Sequence, residues 1–301
     1  MRETTRPPAA VVVLMAALVL AVSTLVAMVK ATPGHADFEI HKVDAAAFVP
    51  GIDGTIFILA VGSDARPGQT QARGDAIHVI GLNAKAGRAT ILNIPRDTYI
   101  NVPGHGVDKI NSSFYFGGPE LMAKTVGQLV GVPIAFVIST DFVGIKAMTD
   151  ELGGLDIDVP VAMNDTLSGA VFPAGPRHMN GDEVLAISRN RHLGSGDFTR
   201  TENQARVILA TLAKFRAEQP GARRVLTYLG VLARHTGLHK VGLVDLYRLG
   251  RLALAIDPAN IRSVTMPGSA GQAGAASVVF VGPSAPGVFA DFADDGLLES
   301  H

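Results

Sequence analysis

The sequence predicts an α/β fold behind a single N-terminal transmembrane helix, and three observations predict it. Short apolar runs at 55–62, 76–82 and 89–94 have charged residues at their ends: Asp64 after the first, Arg73 and Asp75 before the second, Arg96 and Asp97 after the third. Runs of that length are strands, and charged residues at their ends place a site at the edge of a sheet. Capped helical stretches alternate with strands from 119 to 159, the pattern of an α/β chain. Residues 9–29 hold no charge and only Ser23 and Thr24 as polar interruptions, enough to span a hydrocarbon layer of roughly 30 Å.

Arg2 and Arg6 precede the apolar segment and Lys30 follows it, a bias that keeps residues 1–8 in the cytoplasm and sends the rest outside. A cleavable signal ending near Gly34-His35-Ala36 is the alternative, but the apolar core is long for one. Residues 30–54, with Pro33, Gly34, Pro50 and Gly51, read as a juxtamembrane connector, and 55–301 as one extracytoplasmic domain. The run at 55–62 is continuously apolar, as in a strand buried on both faces. Lys85-Ala86-Gly87-Arg88 turns the second strand into the third. Pro119 opens a helix that Gly131 and Pro133 stop near Val130. A strand at 134–139 follows. Asp141 caps a helix carrying Phe142, Ile145 and Met148, and Gly153-Gly154 ends it before a strand at 155–159. Residues 161–178 read as a loop or hairpin, and Asn180 as the cap of a helix at 181–189. A long helix runs from Asp197 or Thr199 to about Ala217, and two more span roughly 222–235 and 242–256. Strands at 261–266 and 276–281 flank a glycine-rich loop at 268–274, and Ser284 caps a last helix burying Val288, Phe289 and Phe292.

Composition narrows the function. The formal net charge of the 301 residues is −1, so no global field favours nucleic acid, and no nucleic-acid partner is expected. Cysteine is absent, so no disulfide contributes, and a domain of this size buries enough core to stand without one. Gly-x-Ser-x-Gly, His-Glu-x-x-His and a Walker loop are all missing.

The alternating Arg and Asp of 57–111 point to anion and metal handled together, because a phosphorylated substrate with a divalent cation needs guanidinium forks and hard carboxylates side by side. Pro95 fixes the backbone ahead of Arg96, which either forks onto a phosphate or pairs with Asp97 as a structural cap. Lys109 either steadies a phosphate or bridges Asp108. Arg189 and Arg191 diverge on a continuous helix and converge only if the helix ends between them, which Gly194 and Gly196 allow. Arg200 and Gln204 are four apart and share a helix face. A solvated basic patch is the plainer reading of those four. Asp64 holds metal or makes an Asx turn before Pro67. His178 and His192 have no assignable carboxylate partner, and the other histidines are scattered without metal spacing.

The ordered set Gly62-Ser63-Asp64, Arg73-Gly74-Asp75, Ile94-Pro95-Arg96-Asp97, Asp108-Lys109-Ile110-Asn111, Gly117-Gly118-Pro119-Glu120, Arg189-Asn190-Arg191-His192 and Gly196-Asp197-Phe198-Thr199-Arg200 resembles the LytR-CpsA-Psr family over about residues 55–215. The resemblance implies an α/β/α sandwich with a central mixed sheet and a lipid groove, in a membrane-anchored, extracytoplasmic phosphotransferase. Its substrate would be a polyprenyl-pyrophosphate-linked glycopolymer, and its acceptor a peptidoglycan hydroxyl. It further implies that Arg73, Arg96, Lys109, Arg189, Arg191, Arg200 and Gln204 meet the pyrophosphate, that Asp64 and Asp75 hold Mg²⁺ (or Mn²⁺), and that Arg73, Arg96 and Asp97 are catalytic. For Asp97, orienting Arg96, touching metal and accepting the hydroxyl proton all stay open. The chain departs from the family where Ala72 and Ala76 replace the hydroxyl residues usual around Arg73-Gly74-Asp75. Two other functions fit the same residues: a non-catalytic polyprenyl-phosphate-binding envelope regulator, and a hydrolase that cuts the pyrophosphate with water.

Overall fold

In the computed structural model a seven-stranded mixed sheet organises the chain, with spatial order β12-β1-β7-β2-β3-β4-β13. Its strands are β1 (Phe38–Lys42), β2 (Thr55–Ser63), β3 (Gly74–Asn83), β4 (Arg88–Asn93), β7 (Ile134–Thr140), β12 (Thr236–His239) and β13 (Ile261–Thr265). Among the described residues four two-stranded ribbons complete the β structure: β5 (Tyr99–Val102) with β6 (Gly106–Lys109), β8 (Leu155–Val159) with β11 (Gly175–Met179), β9 (Met163–Asp165) with β10 (Ala170–Phe172), and β14 (Gly268–Ala273) with β15 (Ala276–Val281). The α-helices among the described residues are α1 (Ser112–Val130), α2 (Phe142–Glu151), α3 (Gly181–Arg189), α4 (Asp197–Ala217) and α5 (Ala285–Asp295). The structure describes residues 38–43, 54–63, 72–190, 197–217, 236–242, 245, 249, 252 and 256–298.

The continuous apolar run of β2 is buried on both faces. Phe57, Leu59 and Val61 point to one side, where they meet Met122, Val126 and Val130 of α1 and Val288, Phe289 and Phe292 of α5. Ile56 and Ile58 point to the other side, against Phe136 and Leu252. Strand geometry sends successive residues to opposite faces, so only a strand covered on both sides tolerates such a run. A third cluster joins β8, β9, β10 and β11 to α3, with Val207 and Ala210 of α4 packed against it.

Local signals set most helix ends. Asp141 accepts a hydrogen bond from the Gly144 N–H at 2.8 Å, and Asn180 with Glu183 forms a complete capping box. Pro119 does open a regular helix, but a turn at Ser112–Phe116 precedes it, separated by a kink in which Gly118 takes φ 59° and ψ −152°. That conformation is nearly restricted to glycine.

Several expectations change. Residues 38–42, within the stretch read as connector, form β1 inside the sheet, pairing antiparallel with β7 and parallel with β12. Flanking proline and glycine hid a strand that only long-range pairing defines. The glycine-rich 268–274 is not a loop: Gly268–Ala273 forms β14, hydrogen-bonded to β15, because small residues let the strand lie close to Phe280 and Val279. Ser284 precedes α5 without a side-chain cap bond. The loop or hairpin at 161–178 resolves into β9 and β10, with β11 pairing back to β8. The helix at 222–235 and most of that at 242–256 lie outside the described residues, as do residues 9–29. Among the described residues no helix is long and apolar enough to cross a membrane.

Candidate active site

A β-bulge places the first acidic residue. In the β2–β3 ladder Gly62 pairs with Ala76 and Ser63 with Gly74, which leaves Asp75 as the extra residue. A bulge re-aims the side chain it displaces. The Gly74 N–H donates to the Asn111 carbonyl at 3.4 Å, tying this end of β3 to the start of α1.

The turn after β4 supplies the next pair. The Thr98 N–H and hydroxyl both donate to the Pro95 carbonyl, at 3.1 and 2.6 Å, closing a turn with Arg96 and Asp97 at its centre. Three neighbours hold it. The Asn111 N–H donates to the Arg96 carbonyl at 3.2 Å, Ile110 N–H to Thr98 at 2.7 Å, and Val279 N–H of β15 to the Asp97 carbonyl at 2.8 Å. The last contact was not legible, since nothing in the C-terminal sequence marks β15 as a brace for Arg96-Asp97.

Side chains converge on this frame. Arg96 Nη1 donates to Asp75 Oδ1, and Arg96 Nε lies 3.9 Å from Asp97 Oδ2. Lys109 Nζ, at the end of β6, lies 3.0 Å from Asp97 Oδ1. Arg200, buried in the first turns of α4, donates to the Asp75 backbone carbonyl at 3.4 Å. Arg96 therefore pairs chiefly with Asp75 rather than with its neighbour Asp97. Lys109 bridges Asp97 rather than Asp108, whose carboxylate accepts the Lys109 backbone N–H at 2.7 Å. Three cations face two carboxylates. Partial burial strengthens such pairs, from about 1 kcal/mol at 4 Å in water to about 4 kcal/mol at an effective dielectric of about 20, before desolvation is counted. Cations paired to carboxylates in this way can exchange them for a stronger anion such as phosphate.

The other sequence-predicted residues scatter more widely. Arg73 is exposed just ahead of β3. Arg189 ends α3, and Asn190 turns extended with ψ 125°, so the helix stops where convergence with Arg191 requires. Arg189 itself lies over the Phe142 ring, 5.4 Å from its centroid, and borders an open cleft with Ser168, Asp182 and Glu183 rather than joining Asp75 and Arg96. Gln204 donates to the Ser188 carbonyl at 3.2 Å, pinning α4 to α3. Arg200 and Gln204 share a face but reach different partners. Asp64 and Arg191 lie outside the described residues. His178, for which the sequence offered no partner, is fastened to Asp156 Oδ1 at 2.7 Å and to the Gly153 carbonyl at 2.9 Å across the β8–β11 ribbon.

One buried titratable group underlies the site. His78 of β3 sits opposite Asn93 of β4, with Nδ1 2.8 Å from Asn93 Oδ1, and Asn93 in turn donates to Ser263 and Thr265. Burial disfavours the charged ring and pushes its pKa down to about 4, the Asn93 hydrogen bond offsetting only part of that.

A divalent cation finds suitable chemistry at Asp75. One of its oxygens is engaged by Arg96, and among the described residues no second carboxylate or histidine gathers with it into a three-ligand set. Mg²⁺ asks for no more than one or two carboxylates when phosphate oxygens and water complete its shell, so the donor fits a cation that arrives with a phosphorylated substrate.

The model of the LytR_cpsA_psr family matches residues 19–286. The chain is 33% identical over 239 residues to the "Probable cell wall biosynthesis protein LcpB" of Corynebacterium glutamicum, covering 73% of this chain and 57% of that protein. It is 33% identical over 220 residues to the "Polyisoprenyl-teichoic acid--peptidoglycan teichoic acid transferase TagT" of Bacillus subtilis, covering 67% and 68%. The match thus spans little more than half the length of the first relative and about two thirds of the second. A solved structure of TagT bound to LI-WTA superposes with a TM-score of 0.66 at 25% identity, covering 83% of this chain and 94% of that one.

Proposed function

Because the chain belongs to the LytR_cpsA_psr family, we propose that it is a phosphotransferase moving a glycopolymer from a polyprenyl-pyrophosphate carrier to a peptidoglycan hydroxyl. The observation that carries this reading is the convergence of Arg96, Lys109 and Arg200 with Asp75 and Asp97 beyond the ends of β3 and β4. The name of the relative TagT, a polyisoprenyl-teichoic acid to peptidoglycan transferase, supports the same chemistry.

The reaction needs charge stabilisation above all. A sugar hydroxyl attacks the phosphorus that bears the glycan, the bond to the bridging oxygen breaks, and polyprenyl phosphate leaves with that oxygen. Arg96 and Lys109 neutralise the phosphates, and Arg200 stiffens the Asp75 backbone beneath them. Asp97, released from Lys109 by the incoming anion, is the carboxylate best placed to take the hydroxyl proton. Asp75, with Asp64, would hold Mg²⁺, whose contribution is neutralisation of the pyrophosphate. Residues 9–29 would anchor the chain, with the catalytic domain outside the membrane.

The test incubates the full chain in detergent with a polyprenyl-pyrophosphate-linked oligosaccharide and peptidoglycan fragments, with Mg²⁺ or with chelator, and follows the glycan by mass. Glycan-phosphate joined to peptidoglycan only with Mg²⁺ is the expected result. Free phosphorylated glycan would mean a hydrolase, and bound but unchanged lipid a binding protein. Either overturns the proposal.

A further inference from the structure

Away from the candidate active site, the sheet edge brings together three metal-ligating side chains that the sequence keeps far apart. Glu39 and His41 stand two apart on β1 and share a face, and the parallel register sets His239 of β12 directly beside His41. The two imidazole rings stack with centroids 4.0 Å apart and planes 1° from parallel. His41 Nε2 lies 3.1 Å from Glu39 Oε2, and His239 Nε2 lies 4.0 Å from Glu39 Oε1. One ligand atom from each residue falls within 4.8 Å of the other two.

We propose that Glu39, His41 and His239 form a transition-metal site of the zinc type that fastens β12 to β1. Two imidazole nitrogens and a carboxylate oxygen are an established donor set for Zn²⁺, and tetrahedral bonds of about 2.0–2.1 Å put ligand atoms about 3.3 Å apart. The spacings of 3.1 and 4.0 Å to Glu39 bracket that edge, and the half-exposed His239 ring turns out of its stack on His41 so that both nitrogens reach one ion. Water takes the fourth position. Mg²⁺ is a poor match for nitrogen donors, which separates this site from the Asp75 centre by metal preference.

Location gives the site its consequence. Among the described residues β12 is the outermost strand on its side of the sheet, and β1 belongs to the stretch that follows the apolar segment 9–29. The His41 side chain is 12% exposed and that of His239 49%, so metal enters from the β12 side onto a ligand already fixed in the sheet. A metal joining ligands this distant in sequence adds its binding free energy to folding. Occupancy therefore sets how firmly β12 is held to β1.

The test strips the full chain in detergent with chelator, then titrates it with Zn²⁺ at about pH 7.5 by calorimetry and thermal melting, beside His239→Ala and Glu39→Gln. One Zn²⁺ per chain is expected, with a rise in melting temperature that excess Mg²⁺ does not prevent and an affinity lowered roughly tenfold or more in each variant. Because His239 is half exposed, His239→Ala melts near the wild-type temperature without metal, which keeps the comparison readable. Co²⁺ should give the visible absorption of a tetrahedral ion in the wild type and lose it in His239→Ala. Absence of Zn²⁺ binding overturns the proposal, as does binding of equal affinity in wild type and both variants.

Discussion

Asp75 meets Arg96 because a bulge displaces it from the β2–β3 ladder, and each side chain is then held in place by the other. Arg96→Ala removes the cation aimed at the phosphates and should lower transfer by about 10²-fold or more, the scale of a lost preorganised donor. Both side chains are only 18% exposed, so the variant also loses a largely buried ion pair and should melt several degrees below wild type, and activities are compared at equal folded fraction. Full transfer activity in that variant would remove Arg96 from the mechanism. His78 makes a prediction of opposite kind, about stability. Its folded pKa of about 4 lies below the unfolded value of about 6.5, so the unfolded chain binds the extra proton between those values. The stability is complete above pH 6.5 and is lost as pH falls towards 4, on the order of 3 kcal/mol in all. Urea midpoints from pH 7 to 4.5 should show that slope in the wild type and a flatter one in His78→Gln, which has no ring to protonate.

At the scale of elements, the site rests on how helices and turns are ended. The Asn180 capping box fixes the start of α3, whose last turn receives Gln204 of α4, so the cap indirectly steadies the helix bearing Arg200. Asn180→Ala should cost about 1 kcal/mol, some 2–4 °C in melting temperature for a domain of this size. An unchanged melting curve would show that packing of Val184 and Ile187, not the cap, sets that end. The β14–β15 ribbon supports the site differently, by the backbone bond from Val279 to Asp97 and by Phe280, which meets the Tyr99 ring edge-on. The β5–β6 hairpin, packed against it, brings the Lys109 ammonium to Asp97.

Over the whole molecule, the C-terminal region closes the core that the site sits on. Phe292 of α5 is fully buried and meets Phe57 of β2 edge-on, with centroids 5.3 Å apart. Gly81 of β3 lies so close to α5's end that a Cβ there would fall 2.4 Å from the Gly296 carbonyl oxygen. The last helix is thus fitted against the first long strand pair. Phe292→Ala should cost about 3–5 kcal/mol, read as a loss of denaturant midpoint, and should depress transfer only as far as the folded fraction falls. A loss of activity in fully folded Phe292→Ala protein would instead tie α5 directly to the site.

Periodicity and turn chemistry were enough to determine the α/β alternation, the doubly buried β2, the caps at Asp141 and Asn180, and the convergence of charged residues on strand ends, because each is written in a few neighbouring residues. The pairings were not written there. That Arg96 takes Asp75 and Lys109 takes Asp97 depends on a one-residue slip in a ladder and on a hairpin folding back, neither of which leaves a local mark. β1 escaped notice for the same reason: five half-buried residues amid proline and glycine become a strand only when β7 and β12 supply partners. His41 and His239, scattered in sequence, become neighbours through that parallel pairing. Local preference is decided within a turn or two of chain, whereas register and strand order are decided by burial across the whole sheet, and only the tertiary structure contains that information.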